Sequence, residues 1–538
     1  MLIQRRADAG VRAPLLTRHL PLVDPLLASY EAVPYDSRPV TATEIGALET
    51  LALLHGVPAP RADRARVLEL GCASGGNLIP MAYRYPDALF VGIDLAPAQI
   101  ARGNIEVQAL GLRNITLRAM SITDITDDFG TFDYIICHGV YSWVPPEVQD
   151  AILRVASRNL SPQGLAYISY NTLPGWHVRG MVREMVLYHD DQTLPPRERV
   201  ARAKAFVQLI ASQGGTKTTP HRLSMMEEAS NVETQDDAYF LHEQLEPFNF
   251  PLYFSEFVRR TEAARLRYVC EAKMTDTTSI PPDWAKRAAG DDAVRVQQYI
   301  DFATGRTFRR SVLCHANVTP LPEPRAQVID GLHVAMRGDP ATSDAADHAK
   351  GGDVECFALP TGRRMTTNDP MVLAAFHALH RVAPGGLPFH ELLQRVNDRL
   401  SVLDTPGLPS DDDRAEPLAQ MLLQCAVGGF VELHRYPSPF THAASSRPVA
   451  SAIARRKVAS SDVVPTLRHI MAEVSDVERT ILPDLDGSRD RNALADRMID
   501  RIRSGELEVV GPPPAKEDLA ALVDSVLARL AAVALLES

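Results

Sequence analysis

Residues 66–77 read Arg66-Val67-Leu68-Glu69-Leu70-Gly71-Cys72-Ala73-Ser74-Gly75-Gly76-Asn77. A short apolar run ends beside an acid, a glycine loop follows, and a helical stretch from Leu78 to Tyr85 comes next. An apolar run this short, bounded by glycines, predicts a buried strand and not a helix. Leu89–Asp94 repeats the pattern and again ends in an acid. The helix expected after it, Pro97–Leu110, is closed by Gly111 and Asn114. Ile115–Ala119 and Phe132–Cys137 read as third and fourth strands, Val148–Leu160 as a helix, and Gly164–Tyr170 as a fifth strand. Strand and helix alternating at this rhythm predict a parallel, doubly wound α/β sheet.

The glycine loop then narrows the ligand. A dinucleotide fold uses G-x-G-x-x-G to bring a pyrophosphate onto a helix N-terminus. Here the spacing is Gly71-x-x-x-Gly75-Gly76, and Glu69 lies where it would repel a diphosphate. A carboxylate there suits a cation such as the α-ammonium of S-adenosylmethionine. Asp94, at the end of the second strand, is placed to accept both ribose hydroxyls. Asp124, in Ser121-Ile122-Thr123-Asp124-Ile125 after the third strand, is placed to accept from the adenine amine. Gly71, Cys72, Gly75, Asn77, Leu95 and Ile122 are candidate cofactor contacts around these acids. The glycines let backbone approach the ligand closely. Acid, glycine loop, acid and acid in this order are the pattern of a class I S-adenosylmethionine-dependent methyltransferase.

Composition excludes other classes. The 538 residues carry 56 Lys and Arg against 67 Asp and Glu, a formal net charge of −11, which opposes wrapping of nucleic acid or an anionic membrane. A 45% hydrophobic content rules out a wholly disordered chain. No stretch approaches the 18 or so apolar residues of a membrane span, and charges interrupt any secretory segment at the N-terminus. The six cysteines show no C-x-x-C spacing, so neither a zinc site nor a disulfide framework is expected. The expectation is a cytoplasmic protein that uses no metal.

Methyl transfer mainly requires alignment of an acceptor lone pair with the methyl group. In doubly wound sheets, reacting groups gather beyond the carboxyl ends of the strands. The loops after strands four and five read His138-Gly139-Val140-Tyr141-Ser142-Trp143-Val144-Pro145 and Tyr170-Asn171-Thr172-Leu173-Pro174-Gly175-Trp176-His177. They hold two of the three tryptophans of the chain. Tyr141, Trp143 and Trp176 can face an amine, and His138 and Asn171 complete the catalytic candidates, with His138 also a candidate cofactor contact. These two loops resemble bacterial methyltransferases that carry a methyltransferase regulatory domain, a group that includes the outer-membrane-protein lysine methyltransferases. Phe240–Glu243 through Pro251–Phe257, Gln298–Phe302 with Arg306–Arg310, Leu467-Arg468-His469 and Leu485-Asp486-Gly487 extend the likeness over most of residues 30–500. The resemblance implies a seven-stranded sheet, with the Tyr35-Asp36-Ser37 segment folded over the methionine end of the cofactor through Tyr35. It also implies an amine acceptor, foremost a protein lysine. Val40-Thr41-Ala42-Thr43-Glu44 stands where the group has a Gln-Thr-His-Pro-like run, so N- or O-methylation of a small molecule or peptide remains the alternative.

Five regions are expected: a core over 1–190 with a cover segment 1–60, a helical regulatory insertion over 191–265, last core strands over 266–320, a linker with short strands over 321–369, and a mainly helical, winged-helix-like domain over 370–538. Leu266–Lys273 and Arg310–His315 are the candidates for the last two strands. Residues 335–353, rich in Gly, Asp, Ala and Ser, read as a linker. Residues 371–440 hold five Arg against eight Asp or Glu, the wrong sign for a phosphate-facing module. The expected partner is therefore a protein, peptide or small-molecule acceptor and not nucleic acid, with homodimerisation left open.

Overall fold

A computed structural model describes Val33 and residues 37–213, 219–276, 283–290, 292–341, 354–403, 410–507 and 514–537. Tyr35 and the expected break at Gly214-Gly215 lie outside the described residues. Seven strands form the main sheet: β1 (Arg66–Leu70), β2 (Leu89–Asp94), β3 (Ile115–Ala119), β4 (Phe132–Cys137), β5 (Leu160–Asn171), β6 (Leu266–Glu271) and β7 (Phe308–His315). Their order is β3-β2-β1-β4-β5-β7-β6. β1 to β5 run parallel, whereas β7 is antiparallel to both β5 and β6. Helices Leu78–Arg84, Pro97–Ala109 and Pro146–Arg158 link the parallel strands. β1 is buried beyond Arg66 and β4 is buried apart from Asp133, as strands covered on both faces must be. The chain changes direction at β1, between β2 and β4, which opens a crevice at the carboxyl ends of these strands.

β5 begins at Leu160, earlier than Gly164, because Leu160 is buried and pairs with Phe132 before the register slips. The helical insertion also starts earlier than residue 191. Val182 and Val186 of helix Trp176–His189 share one core with Val200, Val207, Met225 and Phe240, so this helix belongs with Pro196–Ser212 and Pro220–Thr234.

The Gln298–Arg310 motif is explained by β7. Arg309, 0% exposed, donates to Glu271 of β6 and to Asp301 of helix Ala293–Thr304, both at 2.8 Å, and its guanidinium lies 3.8 Å from the centre of the Phe254 ring. A buried arginine needs both carboxylates, and the three groups clamp the helix to the sheet edge.

Beyond the sheet, Gly386–Pro388, His333–Met336 and Val431–His434 form a three-stranded sheet packed with helices Pro370–His380, Phe389–Leu403 and Ala415–Gly428. Part of the expected linker is therefore strand: Ala335 and Met336 are buried and pair with Gly386 and Val431, and Asp339–Ala341 forms a further strand. Residues 342–353 of that stretch lie outside the described residues. Helices Arg491–Arg503 and Lys516–Ala532 share a last core with Val464 of the hairpin Val463–Pro465/Met471–Glu473. Among the described residues no helix is long and apolar enough to cross a membrane.

Candidate functional site

A cavity of about 640 Å³ opens at the carboxyl ends of β1, β2, β4 and β5. One end of it is built by the loop after β1. Gly71 has φ +77°, and a Cβ there would come 2.5 Å from Val140. At Gly76 a Cβ would lie 2.1 Å from the Ser37 carbonyl oxygen, so the N-terminal segment can press directly on the loop. Ser37 Oγ accepts the Gly76 amide at 2.8 Å. The segment Ser37–Ala42 thereby walls one side of the cavity.

Three acids face this end. Glu69 is buried, accepts from Asn77 Nδ2 at 2.7 Å through Oε1, and has no partner for Oε2. Burial pushes its carboxyl up to about 7. Asp94 accepts the Ala73 and Ala96 amides, one on each oxygen, at 2.8 Å. Each oxygen keeps a second lone pair for a ligand hydroxyl, and burial raises this carboxyl too. Asp124 leaves a buried oxygen, Oδ2, without a partner. Orphaned buried acceptors are costly, and two of them on one cavity fit a ligand that brings an ammonium and an exocyclic amine.

Another part of the cavity wall is aromatic. Trp143 and Trp176 meet edge to face at 5.9 Å, and the buried indole nitrogen of Trp176 has no partner. The insertion adds Arg179, Tyr239, His242 and Glu243 to the wall, Lys273 follows β6 onto it, Thr307 precedes β7, and β7 adds Phe308 and Arg310. Glu243 stands 3.6 Å from Arg179, yet burial pushes its carboxyl up to about 7. His138 Nδ1 lies 2.8 Å from the Tyr167 hydroxyl. Burial, reinforced by Arg310 and Lys273, lowers its imidazole to about 3, so His138 is neutral at physiological pH.

Of the residues expected from sequence, Glu69, Gly71, Cys72, Asn77, Asp94, Leu95, Ile122, Asp124, His138, Trp143, Asn171 and Trp176 line this one cavity. Two do not. Tyr141 is 0% exposed and packs against Tyr170 and Phe257 inside the sheet core, because the turn that exposes Trp143 directs the residue two positions earlier inward. Gly75 shapes the loop at φ +77° and donates to Cys72, without reaching the cavity. Sequence reasoning passed over Arg179, Glu243, Lys273 and Arg310. Glu243 and Arg310 stood inside quoted motifs, but nothing local said that the insertion and the antiparallel strands converge on the loop after β1.

Three family models match the chain: a methyltransferase domain over residues 67–164, a "predicted methyltransferase regulatory domain" over 236–315, and a PKMT C-terminal winged helix domain over 446–535. The uncharacterised protein RP789 of Rickettsia prowazekii is 34% identical over 484 residues, which span 89% of this chain and 87% of that one. The chain belongs to the S-adenosylmethionine-dependent methyltransferases with a regulatory domain. The structure of PKMT2 from Rickettsia typhi in complex with AdoHcy aligns with a TM-score of 0.80 and 26% identity, over 94% of this methyltransferase and all of that chain. S-adenosylmethionine is the cofactor of this methyltransferase. Its regulatory-domain match takes in β6 and β7, so that module completes the catalytic sheet. The winged-helix match falls on 446–535, C-terminal to the helices at 370–428 that suggested such a module from sequence.

Proposed function

We propose that this methyltransferase acts on lysine side chains of a protein acceptor. The observation that carries the reading is the acceptor end of the cavity, where Trp143 and Trp176 form a corner on the same cavity as a part-buried carboxyl, Glu243. S-adenosylmethionine supplies a sulfonium-bound methyl group that an unprotonated amine displaces. Lysine has a pKa of about 10.4, so only about 0.1% is unprotonated near pH 7.4. The cavity opposes the ammonium form through its aromatic wall, which desolvates the charge, and through the positive charge of Lys273 on the same wall. Glu243, raised to about 7, is a carboxylate able to hold the departing proton. His138, being neutral, adds no further positive charge of its own. Within this reading Glu69 holds the cofactor ammonium, Asp94 its ribose and Asp124 its adenine amine. The likeness to PKMT2 supports the same acceptor.

A second reading rests on Lys273 and on Arg310, which is paired with Asp276 at 2.5 Å: a carboxylate acceptor that took the place of Asp276 between them would lead to O-methylation of a small molecule. Transfer from labelled S-adenosylmethionine to protein and to small-molecule fractions separates the two. Alkali-stable label mapped to lysine by mass spectrometry is expected. Alkali-labile methyl ester, or label confined to small molecules, would overturn the lysine reading.

A further inference from the structure

The hairpin Val463–Pro465/Met471–Glu473 belongs to the C-terminal winged-helix region, yet its tip buries Thr466, Leu467 and His469. His469 sits at that tip with φ +58°, a left-handed backbone costly for a residue with a side chain, and is only 3% exposed. Its Nε2 lies 2.8 Å from Asn77 Oδ1, across 392 residues of chain. The same oxygen accepts the Val40 amide at 3.0 Å, and the Thr43 hydroxyl lies 3.0 Å from it, sharing its single proton with the Val40 carbonyl oxygen at 2.8 Å. A backbone amide can only donate, which places the oxygen of Asn77 toward Val40 and its Nδ2 toward Glu69. His469 must therefore carry its proton on Nε2 and donate it. Burial keeps the ring neutral, down at about 4, beside Glu44 and Arg84, which face it from the methyltransferase domain. Thr41 Oγ1 donates in turn to the His469 carbonyl at 3.2 Å.

We infer that the tip of this hairpin, through His469, Asn77 and Glu69 in sequence, holds the cofactor-binding carboxylate in place, so that docking of the C-terminal region is a condition for tight binding of S-adenosylmethionine. His469 is thus a positioning residue supplied to the cofactor loop by a distant part of the chain. Asn77 cannot turn without breaking its bonds to Val40, Thr43 and His469, and the free Oε2 of Glu69 stays aimed into the cavity. The Leu467-Arg468-His469 motif has a physical reason on this view: Leu467 donates its amide to Ala534 and Arg468 its guanidinium to Glu432 at 2.7 Å, which fix the chain leading into the reaching histidine. By linkage, cofactor binding must stabilise the docked hairpin by the same factor that docking strengthens binding.

The inference rests on Glu69 as the cofactor carboxylate, and the test separates the two. Calorimetric titration of the full chain with S-adenosylmethionine is expected to show binding weakened about tenfold by His469→Ala, the scale of one well-placed hydrogen bond in a buried network. His469→Gln, whose amide can donate from a similar reach, should recover most of the affinity. In steady state the KM for S-adenosylmethionine rises while kcat and the KM for the acceptor hold. His469→Ala in an Asn77→Ala background should add little further loss. Unchanged affinity for folded His469→Ala, or losses that add fully in the double variant, would overturn the inference. If Glu69→Gln alone left binding unchanged, the cofactor-site reading would fall instead. Amide exchange on the wild-type protein gives an independent reading should the alanine variant not fold: the cofactor should slow exchange across 463–473, and no slowing there would equally refute the coupling.

Discussion

Glu69→Gln tests the cofactor site most directly. The side chain is buried, one oxygen is committed to Asn77, and the other has no partner. An ammonium seated there makes a charge-assisted hydrogen bond, worth about 1.5–3 kcal/mol, or about 10–150-fold in affinity. Glutamine keeps the shape and the bond from Asn77, but turns a donor amide toward the ammonium, so the loss should lie in the upper part of that range. The fold should tolerate the change. Burial lifts the Glu69 carboxyl from 4.5 to about 7, which means that the charged form is disfavoured in the folded chain. Its contribution to stability therefore falls as pH rises from about 4.5 to about 7 and stays constant above. At pH 8 the ligand-free variant should melt at the wild-type temperature or slightly higher, while calorimetry shows the weakened cofactor binding. The wild type carries a matching pH signature. A cationic ligand selects ionised Glu69, so affinity should drop up to tenfold per unit below pH 7, level off above it, and fall again once the ligand's own α-amino group loses its proton at about 7.7–8.0. Wild-type affinity in a folded Glu69→Gln protein, or a wild-type affinity unaffected between pH 5.5 and 8, would refute this assignment.

Other outcomes follow from the same geometry. Trp143→Ala should cut turnover about 10–100-fold with saturating cofactor, by loosening the acceptor, while the dissociation constant for S-adenosylmethionine stays put. Tyr141→Phe should leave turnover close to wild type, since the ring lies in the core and not on the cavity. Turnover with a lysine acceptor should climb from pH 7 to 9 in single-turnover assays, because the amine titrates near 10.4 while Glu69 is already ionised. Arg309→Ala should cost about 3–5 kcal/mol in denaturant unfolding, because Glu271 and Asp301 would be left as buried carboxylates without their shared cation.

Local patterns carried much of this protein. The Arg66–Asn77 stretch, the acids at Asp94 and Asp124, and the tryptophan-bearing loops were legible because each depends on a strand end and a turn, which are short-range features. Leu266–Lys273 and Arg310–His315 were also readable as strands, which in the fold run over Leu266–Glu271 and Phe308–His315. Tertiary structure decided three things that no window could. It separated Trp143 from Tyr141, since which side of a loop faces the cavity depends on what packs behind it, here Tyr170 and Phe257. It brought Glu243, Lys273 and Arg310 from the insertion and the antiparallel strands onto a cavity opened by β1 and β4. And it carried His469 across the molecule to Asn77. Sequence alone marks which residues can donate, accept or bear charge. Their convergence is a property of long-range packing, in which groups hundreds of residues apart become neighbours only once the cores between them have formed.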